Sequence, residues 1–194
     1  MNKICVASVY FGNLPESYPA WRRSCLANTT IDFLLLTDQN SDHREHNIQT
    51  VSMAFADFTE LARQKLEMNI VLTTAYKCCD YKPVYGLILE DYLTGYDYWG
   101  YCDMDLVFGD LAFFFEREQL YSYDKFLPLG HLCLYRNTQE CNNRYKLECN
   151  ISNDYKTTFS TAENLLFDER EGIKEIYSTY GFSKYDQRIF ADID

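Results

Sequence analysis

Asp103 and Asp105 stand one residue apart, after the run Tyr98-Trp99-Gly100-Tyr101-Cys102 and before Leu106-Val107-Phe108-Gly109-Asp110-Leu111. An aromatic strand that leaves the core here delivers both carboxylates to one edge of a sheet. Carrying such groups into apolar surroundings is costly unless their charge is compensated. A divalent cation does this. Hard oxygen ligands suit Mg2+ or Mn2+, and Mg2+ is commonly held by one or two carboxylates together with the phosphates of a substrate. The pattern therefore points to a phosphate-bearing ligand.

The elements that must position this edge are legible on either side of it. Residues 3–10 form a short apolar run rich in β-branched side chains, closed by Gly12, Asn13 and Pro15, and read as a buried first strand. Pro15 and Glu16 suit a helix start, with Tyr18, Trp21, Cys25 and Leu26 at helical spacing behind them. Residues 31–37 are a second strand, ended by Asp38, Gln39 and Asn40. Near-continuous apolar strands separated by a helix mark a parallel sheet covered on both faces. A third strand is expected over 48–53, and Asp57 is expected to cap a helix running to about Met68. Pro83 opens a further helix, with Val84, Leu87, Ile88 and Tyr92 approximating a stripe and Gly95 ending it. Ligands of open α/β sheets gather at the carboxyl ends of strands, so Tyr10, Asp38 and Asp103 are expected in one crevice. After Asp110 come an apolar run over 111–115, a strand over 130–136 and helical stretches from about Thr138 and Thr161. The chain stops at 190–194 without a closing polar tail, in keeping with a fragment or a shortened form.

Composition narrows the functional classes. At 194 residues the chain fits one domain able to bury a sizeable core. Its 17 Tyr and 13 Phe suit carbohydrate or nucleobase faces, although most such rings fill cores. A net charge of −11 argues against a sequence-independent nucleic-acid binder, which needs a basic footprint, while leaving room for a single nucleotide. The eight cysteines show no paired CxxC ligand spacing, and no apolar run reads as a signal peptide or a transmembrane helix. The expectation is a cytoplasmic protein with reduced thiols, with peripheral attachment to the inner face of a membrane left open.

The aspartate segment, with Gly109-Asp110-Leu111 after it, resembles the metal-binding segment of glycosyltransferases with the GT-A fold, particularly the glycogenin and bacterial galactosyltransferase group. The stretch from Tyr81-Lys82-Pro83 through Gly95-Tyr96-Asp97 to Asp103 is also similar to an uncharacterised bacterial glycosyltransferase-like family associated with surface polysaccharides. The resemblance implies that Asp103 and Asp105 hold Mn2+ or Mg2+, which bridges a nucleotide-sugar diphosphate and stabilises the leaving group. It implies that Lys82 either contacts the donor or is a solvated helix-start lysine; a cation at a helix start opposes the macrodipole, which favours an anionic partner. It assigns the nucleobase and ribose to Tyr10, Phe11 and Gly12, with Tyr10 stacking on uracil and Gly12 allowing close backbone approach. Asp38 either accepts a hydrogen bond from the base or closes its turn. His131, at the start of a strand, either contacts donor sugar or acceptor or is structural.

Two acidic sites compete for the catalytic role. Asp168 and Glu169 offer a carboxylate to deprotonate an acceptor hydroxyl, whereas Asp186 and Gln187 resemble the Asp-Gln pair that contacts the donor sugar in the glycogenin-like group. The chain departs from that group after Gln187, where Arg188 appears and the downstream metal-binding histidine motif is missing, so a third metal ligand is unassigned.

The fold expected is α/β, a GT-A (Rossmann-like), mostly parallel central sheet flanked by helices. About 1–110 form the nucleotide-sugar half and about 111–194 a partial sugar and acceptor half of one domain. The function expected is metal-dependent transfer of a hexose from a nucleotide sugar, most naturally a UDP-sugar, to a glycan or glycolipid acceptor in surface polysaccharide synthesis. A haloacid-dehalogenase-like phosphatase also ends an apolar strand in Asp-x-Asp, but continues with Gly or Ser and then Thr near the N-terminus, where Leu106-Val107 follows here. A nucleotide-sugar-binding module without turnover is the non-enzymatic alternative.

Overall fold

The apolar run after Lys3 forms β1 (Ile4–Tyr10), followed by α1 (Tyr18–Ala27) and β2 (Asp32–Thr37) in the expected order. The computed structural model describes residues 2–39, 42–169 and 172–189; the chain end at 190–194 and Asn40 lie outside them. The strand expected over 48–53 is β4 (Ile48–Ser52), parallel to β2, and a short strand that the sequence pattern did not announce, β3 (His43–Glu45), pairs antiparallel with it to complete this flank. β3 forms the edge with charged residues, which discourages pairing with another chain.

In α2 (Phe55–Leu66) the cap position belongs to Ala54, and Asp57 lies inside the first turn, where its charge still suits the helix dipole. The helix expected from Pro83 is broken into short pieces. A 3-10 turn at Ala75–Lys77 leads into α3 (Cys78–Tyr81), a second 3-10 turn at Lys82–Val84, α4 (Tyr85–Ile88) and α5 (Glu90–Leu93). Pro83 removes a backbone donor, and this stretch is buried on nearly every side, so tertiary contacts rather than one amphipathic stripe decide its path.

β5 (Tyr98–Cys102) precedes α6 (Leu111–Arg117), a 3-10 turn at Leu120–Ser122, and the strands β6 (Lys125–Phe126) and β7 (Leu132–Arg136). Thr138 caps α7 (Gln139–Asn143). The helix expected from Thr161 lies earlier: Asp154 caps α8 (Tyr155–Ser160) by accepting from the Thr157 amide at 2.7 Å, and Thr161 follows its end. α9 (Ile173–Thr179) and β8 (Lys184–Tyr185) complete the described elements.

One sheet runs through both halves of the chain in the order β3-β4-β2-β1-β5-β7-β6-β8. It is mixed, where a mostly parallel sheet was expected. β4, β2, β1 and β5 are mutually parallel, whereas β7 runs antiparallel to β5, and β6 antiparallel to β7. The reversal matters for the site. Pairing of Cys102 with Leu132 sets the start of β7 beside the carboxyl end of β5, where a parallel neighbour would have set its own end.

Alternation along the strands feeds two cores. Cys5, Ala7, Leu34, Leu36, Trp99 and Tyr101 pack against α2, the 78–93 segment and α9. Ile4, Val6, Phe33, Leu35 and Tyr98 pack against Trp21 and Cys25 of α1 and Leu111 and Phe115 of α6. This is a sheet between helical layers, with its strand ends left free to carry polar groups.

Candidate functional site

The two aspartates are aimed by the residue between them. Met104 is buried in the core beside α1 and α6, so Asp103 and Asp105 turn out at the strand end. The Ser8 hydroxyl donates to the Cys102 carbonyl at 2.7 Å and ties β1 to β5 just before the pair. The Asp103 amide donates to the His131 carbonyl at 2.9 Å. Beyond Asp105 the loop is clamped by Asn28, whose amide nitrogen donates to the Gly109 carbonyl at 2.9 Å and whose oxygen accepts from the Leu111 amide at 2.8 Å. Asp110 caps α6 by accepting from the Phe113 amide at 2.9 Å. Gly109-Asp110-Leu111 thus has a local structural purpose in fixing the loop.

Lys82 reaches this edge from the opposite layer. Its ammonium donates to Asp103 Oδ1 at 2.7 Å and to the Gly130 carbonyl at 2.9 Å, lies 3.5 Å from Asp168 Oδ2, and sits 5.6 Å from the centre of the Tyr101 ring. Burial alone works against the charged ammonium. Asp103 and Asp168 outweigh it and hold the pKa above the ordinary lysine value, so Lys82 stays protonated.

Asp168 is carried by a segment that is itself fastened to the core. Asp80 is fully buried; its Oδ2 accepts from the Leu165 amide and its Oδ1 from the Phe167 amide, both at 2.9 Å. Lys77 neutralises Asp80 at 2.7 Å and also donates to the carbonyls of Thr158 and Glu163. A buried charge pair is tolerated only when its remaining valences are satisfied, and here they are. Asp168 follows at 3% exposure, with one carboxylate oxygen lacking a hydrogen-bond partner among the described residues. Burial pushes its pKa up to about 7; Lys82 opposes the shift, and Glu169, Asp103 and Asp80 add to it. Asp168 is therefore poised to gain or lose a proton near neutral pH.

Gly130 joins these parts. Its amide donates to Glu169 Oε1 at 3.1 Å and its carbonyl accepts from Lys82. A Cβ at this position would come within 3 Å of the Asp168 and Glu169 carboxyl groups, so a side chain here would have to push both aside.

Two cavities open at this edge. The first, of about 550 Å³, is lined by Tyr10, Phe11, Lys82, Asp103, Asp105, Asp168 and Glu169 among others. The second, of about 580 Å³, is lined by His131, Gln187 and Arg188 together with apolar residues such as Leu106, Val107, Phe108 and Ile189. Asp105 stands on the wall of both. Volumes of this size suit small-molecule ligands.

The sequence candidates therefore divide. Asp103, Asp105, Lys82, Asp168 and Glu169 come together. Tyr10 lines their cavity half-exposed, and Phe11 touches it while packing on Phe55 and Phe58. Gly12, at φ +90°, and Asp38 line neither cavity: the Gly12 amide donates to Asp38 Oδ1 at 2.9 Å, a closure of the β1 and β2 ends. The Gln39 side chain and the Gly12 amide hold the Asp38 carboxyl below the usual carboxylate range. The His131 carbonyl serves Asp103, while its side chain belongs to the second cavity. Asp186 is exposed and paired with Lys184 at 2.6 Å, away from Asp168, while Gln187 lines the second cavity. Sequence reasoning missed Gly130, Tyr76, Cys79 and the Lys77–Asp80 pair. Of these only the last left a signal, opposite charges at i and i+3 inside an aromatic stretch.

The donor set suits a hard cation. Four carboxyl groups, from Asp103, Asp105, Asp168 and Glu169, face one ammonium, that of Lys82, among the described residues lining the first cavity. Asp105 is exposed and has no ion-pair partner among the described residues. No three His, Cys, Asp or Glu side chains group into a complete protein cage among those residues, so such a cation would draw further oxygens from its ligand.

No curated protein matches the chain. A family model, described as a family of unknown function, matches residues 6–194. With nearly its whole length inside that match, the chain belongs to the family DUF6625.

Proposed function

We propose that this protein is a GT-A-type glycosyltransferase that moves a hexose from a nucleotide sugar, most naturally a UDP-sugar, to a glycan or glycolipid acceptor. The observation that carries the reading is the first cavity. At the carboxyl ends of β1 and β5 it gathers an excess of carboxylates over cations, with Asp103 and Asp105 at the strand end and an aromatic rim. Mn2+ or Mg2+ held by Asp103 and Asp105 would stabilise the negative charge that develops on the departing nucleoside diphosphate.

The protein's own groups have separable tasks in this scheme. Lys82 fixes the Asp103 carboxylate in one orientation and keeps a positive charge beside the diphosphate. Tyr10 offers a ring face to the base. Asp168, with its pKa near neutrality, accepts the proton of an attacking hydroxyl, and Glu169 holds the Gly130 amide beside it. The second cavity, entered past Asp105, has the mixed lining expected of an amphiphilic acceptor: Leu106, Phe108 and Ile189 for an apolar portion, and His131, Gln187 and Arg188 for polar ones. No helix among the described residues is long and apolar enough to cross a membrane.

A thermal-shift screen of nucleotide sugars with and without Mn2+ tests the reading. A UDP-sugar should raise Tm by several degrees only with metal, and Asp103→Asn and Asp105→Asn should each abolish most of that shift. Release of free sugar from the donor supports the transferase. Binding without turnover points to a carrier module, and phosphate release from simple phosphomonoesters to a phosphatase. Absence of any metal-dependent shift, or a shift that survives both substitutions, rules out the donor site.

A further inference from the structure

Among the described residues Tyr76 is the most exposed large hydrophobic side chain, at 71%, yet it lines the first cavity. Isolated exposed aromatics need no explanation on a convex surface. This one is concave-facing, and its backbone is held unusually firmly. Lys77, the next residue, is 1% exposed with its ammonium bound to Asp80, Thr158 and Glu163. The Tyr76 carbonyl accepts from the Asn164 side chain at 3.4 Å. The ring itself makes no aromatic contact and its hydroxyl no hydrogen bond among the described residues. A rigidly rooted ring with only two side-chain torsions to order loses little entropy on stacking.

We propose that Tyr76 is the stacking platform for the nucleobase of the bound nucleotide, a second aromatic wall of the cavity besides Tyr10. This rests on the donor-site reading above. A nucleobase is favoured over the sugar because a pyranose needs acceptors and donors for its hydroxyls, which Lys82, Asp103, Asp168 and Glu169 supply in the same cavity and the Tyr76 ring does not. The base is flat and uncharged, and stacking on an aromatic ring is favourable whichever base is bound, because every base has a π-face. Tyr76 therefore contributes affinity for nucleotides in general, and selection among bases falls to other groups.

The test is calorimetric titration of the full chain with UDP, a UDP-sugar and inorganic pyrophosphate, each with Mn2+. Tyr76→Ala should weaken UDP and the UDP-sugar about tenfold or more and leave pyrophosphate within about twofold. Tyr76→Phe should bind like the parent, and Tyr76→Leu, which is apolar but not flat, should behave like alanine. A loss confined to the UDP-sugar would assign the ring to the hexose and overturn the inference, as would equal binding by Tyr76→Ala and the parent. If the parent itself binds neither UDP nor pyrophosphate, the donor site fails and the inference with it. The substituted side chain is exposed, and an unchanged Tm without ligand verifies the fold of each variant.

Discussion

Asp168 ties pH to stability through one side chain. Its carboxyl titrates near 3.9 in an unfolded chain and at about 7 in the folded one. The folded state thus holds the proton more tightly, so its stabilising contribution is complete below about pH 4 and is lost as pH rises through 7. The magnitude is on the order of a few kcal/mol. Asp168→Asn carries no charge at either extreme. Urea denaturation should find the stability of the variant relative to the parent growing steadily from pH 4 to pH 8; an equal difference at both values would refute the burial of an ionising Asp168. At this scale the sequence was informative where chemistry is local. Asp103-x-Asp105 announces itself by its preceding strand, and Lys82 by its place before Pro83. Asp168 and Asp186 could not be separated by reading along the chain, because what distinguishes them is Asp80, more than eighty residues away, which fastens the segment before Asp168.

At the scale of elements, the Lys77–Asp80 pair is the hinge pin between the broken 75–84 helices and the 163–169 segment. Asp80→Asn leaves the Lys77 ammonium buried beside a neutral group, and breaking such a pair costs about 3–5 kcal/mol. Denaturant titration should show that loss, whereas Lys184→Ala, which breaks a partly exposed pair with Asp186, should cost less than about 1 kcal/mol. Comparable losses in the two variants would show that Asp80 does not carry the segment. The strands β1, β2 and β5 were legible because doubly buried strands write themselves as continuous apolar runs. β6 and β8, two residues each, and the helix pieces around Pro83 were not, since they are set by long-range packing that no local period records.

Across the whole molecule, the sheet divides into a parallel part, which follows from α/β alternation in the chain, and an antiparallel part, which does not. β1 is paired on both sides by parallel neighbours, while β3 and β8 have a partner on one side only. Hydrogen exchange should be slowest in β1, β2 and β5 and fastest, among the strands, in β3 and β8; rapid exchange in β1 would contradict the sheet order. The antiparallel turn of β7 carries a further consequence. Through it the Gly130 amide serves Glu169, the Gly130 carbonyl serves Lys82 and the His131 carbonyl serves the Asp103 amide. These three fastenings are made by main-chain atoms, which are indifferent to the side chain at 131, whereas a side chain at 130 would press on the Asp168 and Glu169 carboxyl groups. A mutational survey restricted to the residues that bear chemistry would pass over this junction, although one added methyl group there would displace two acids of the site while leaving each of them intact.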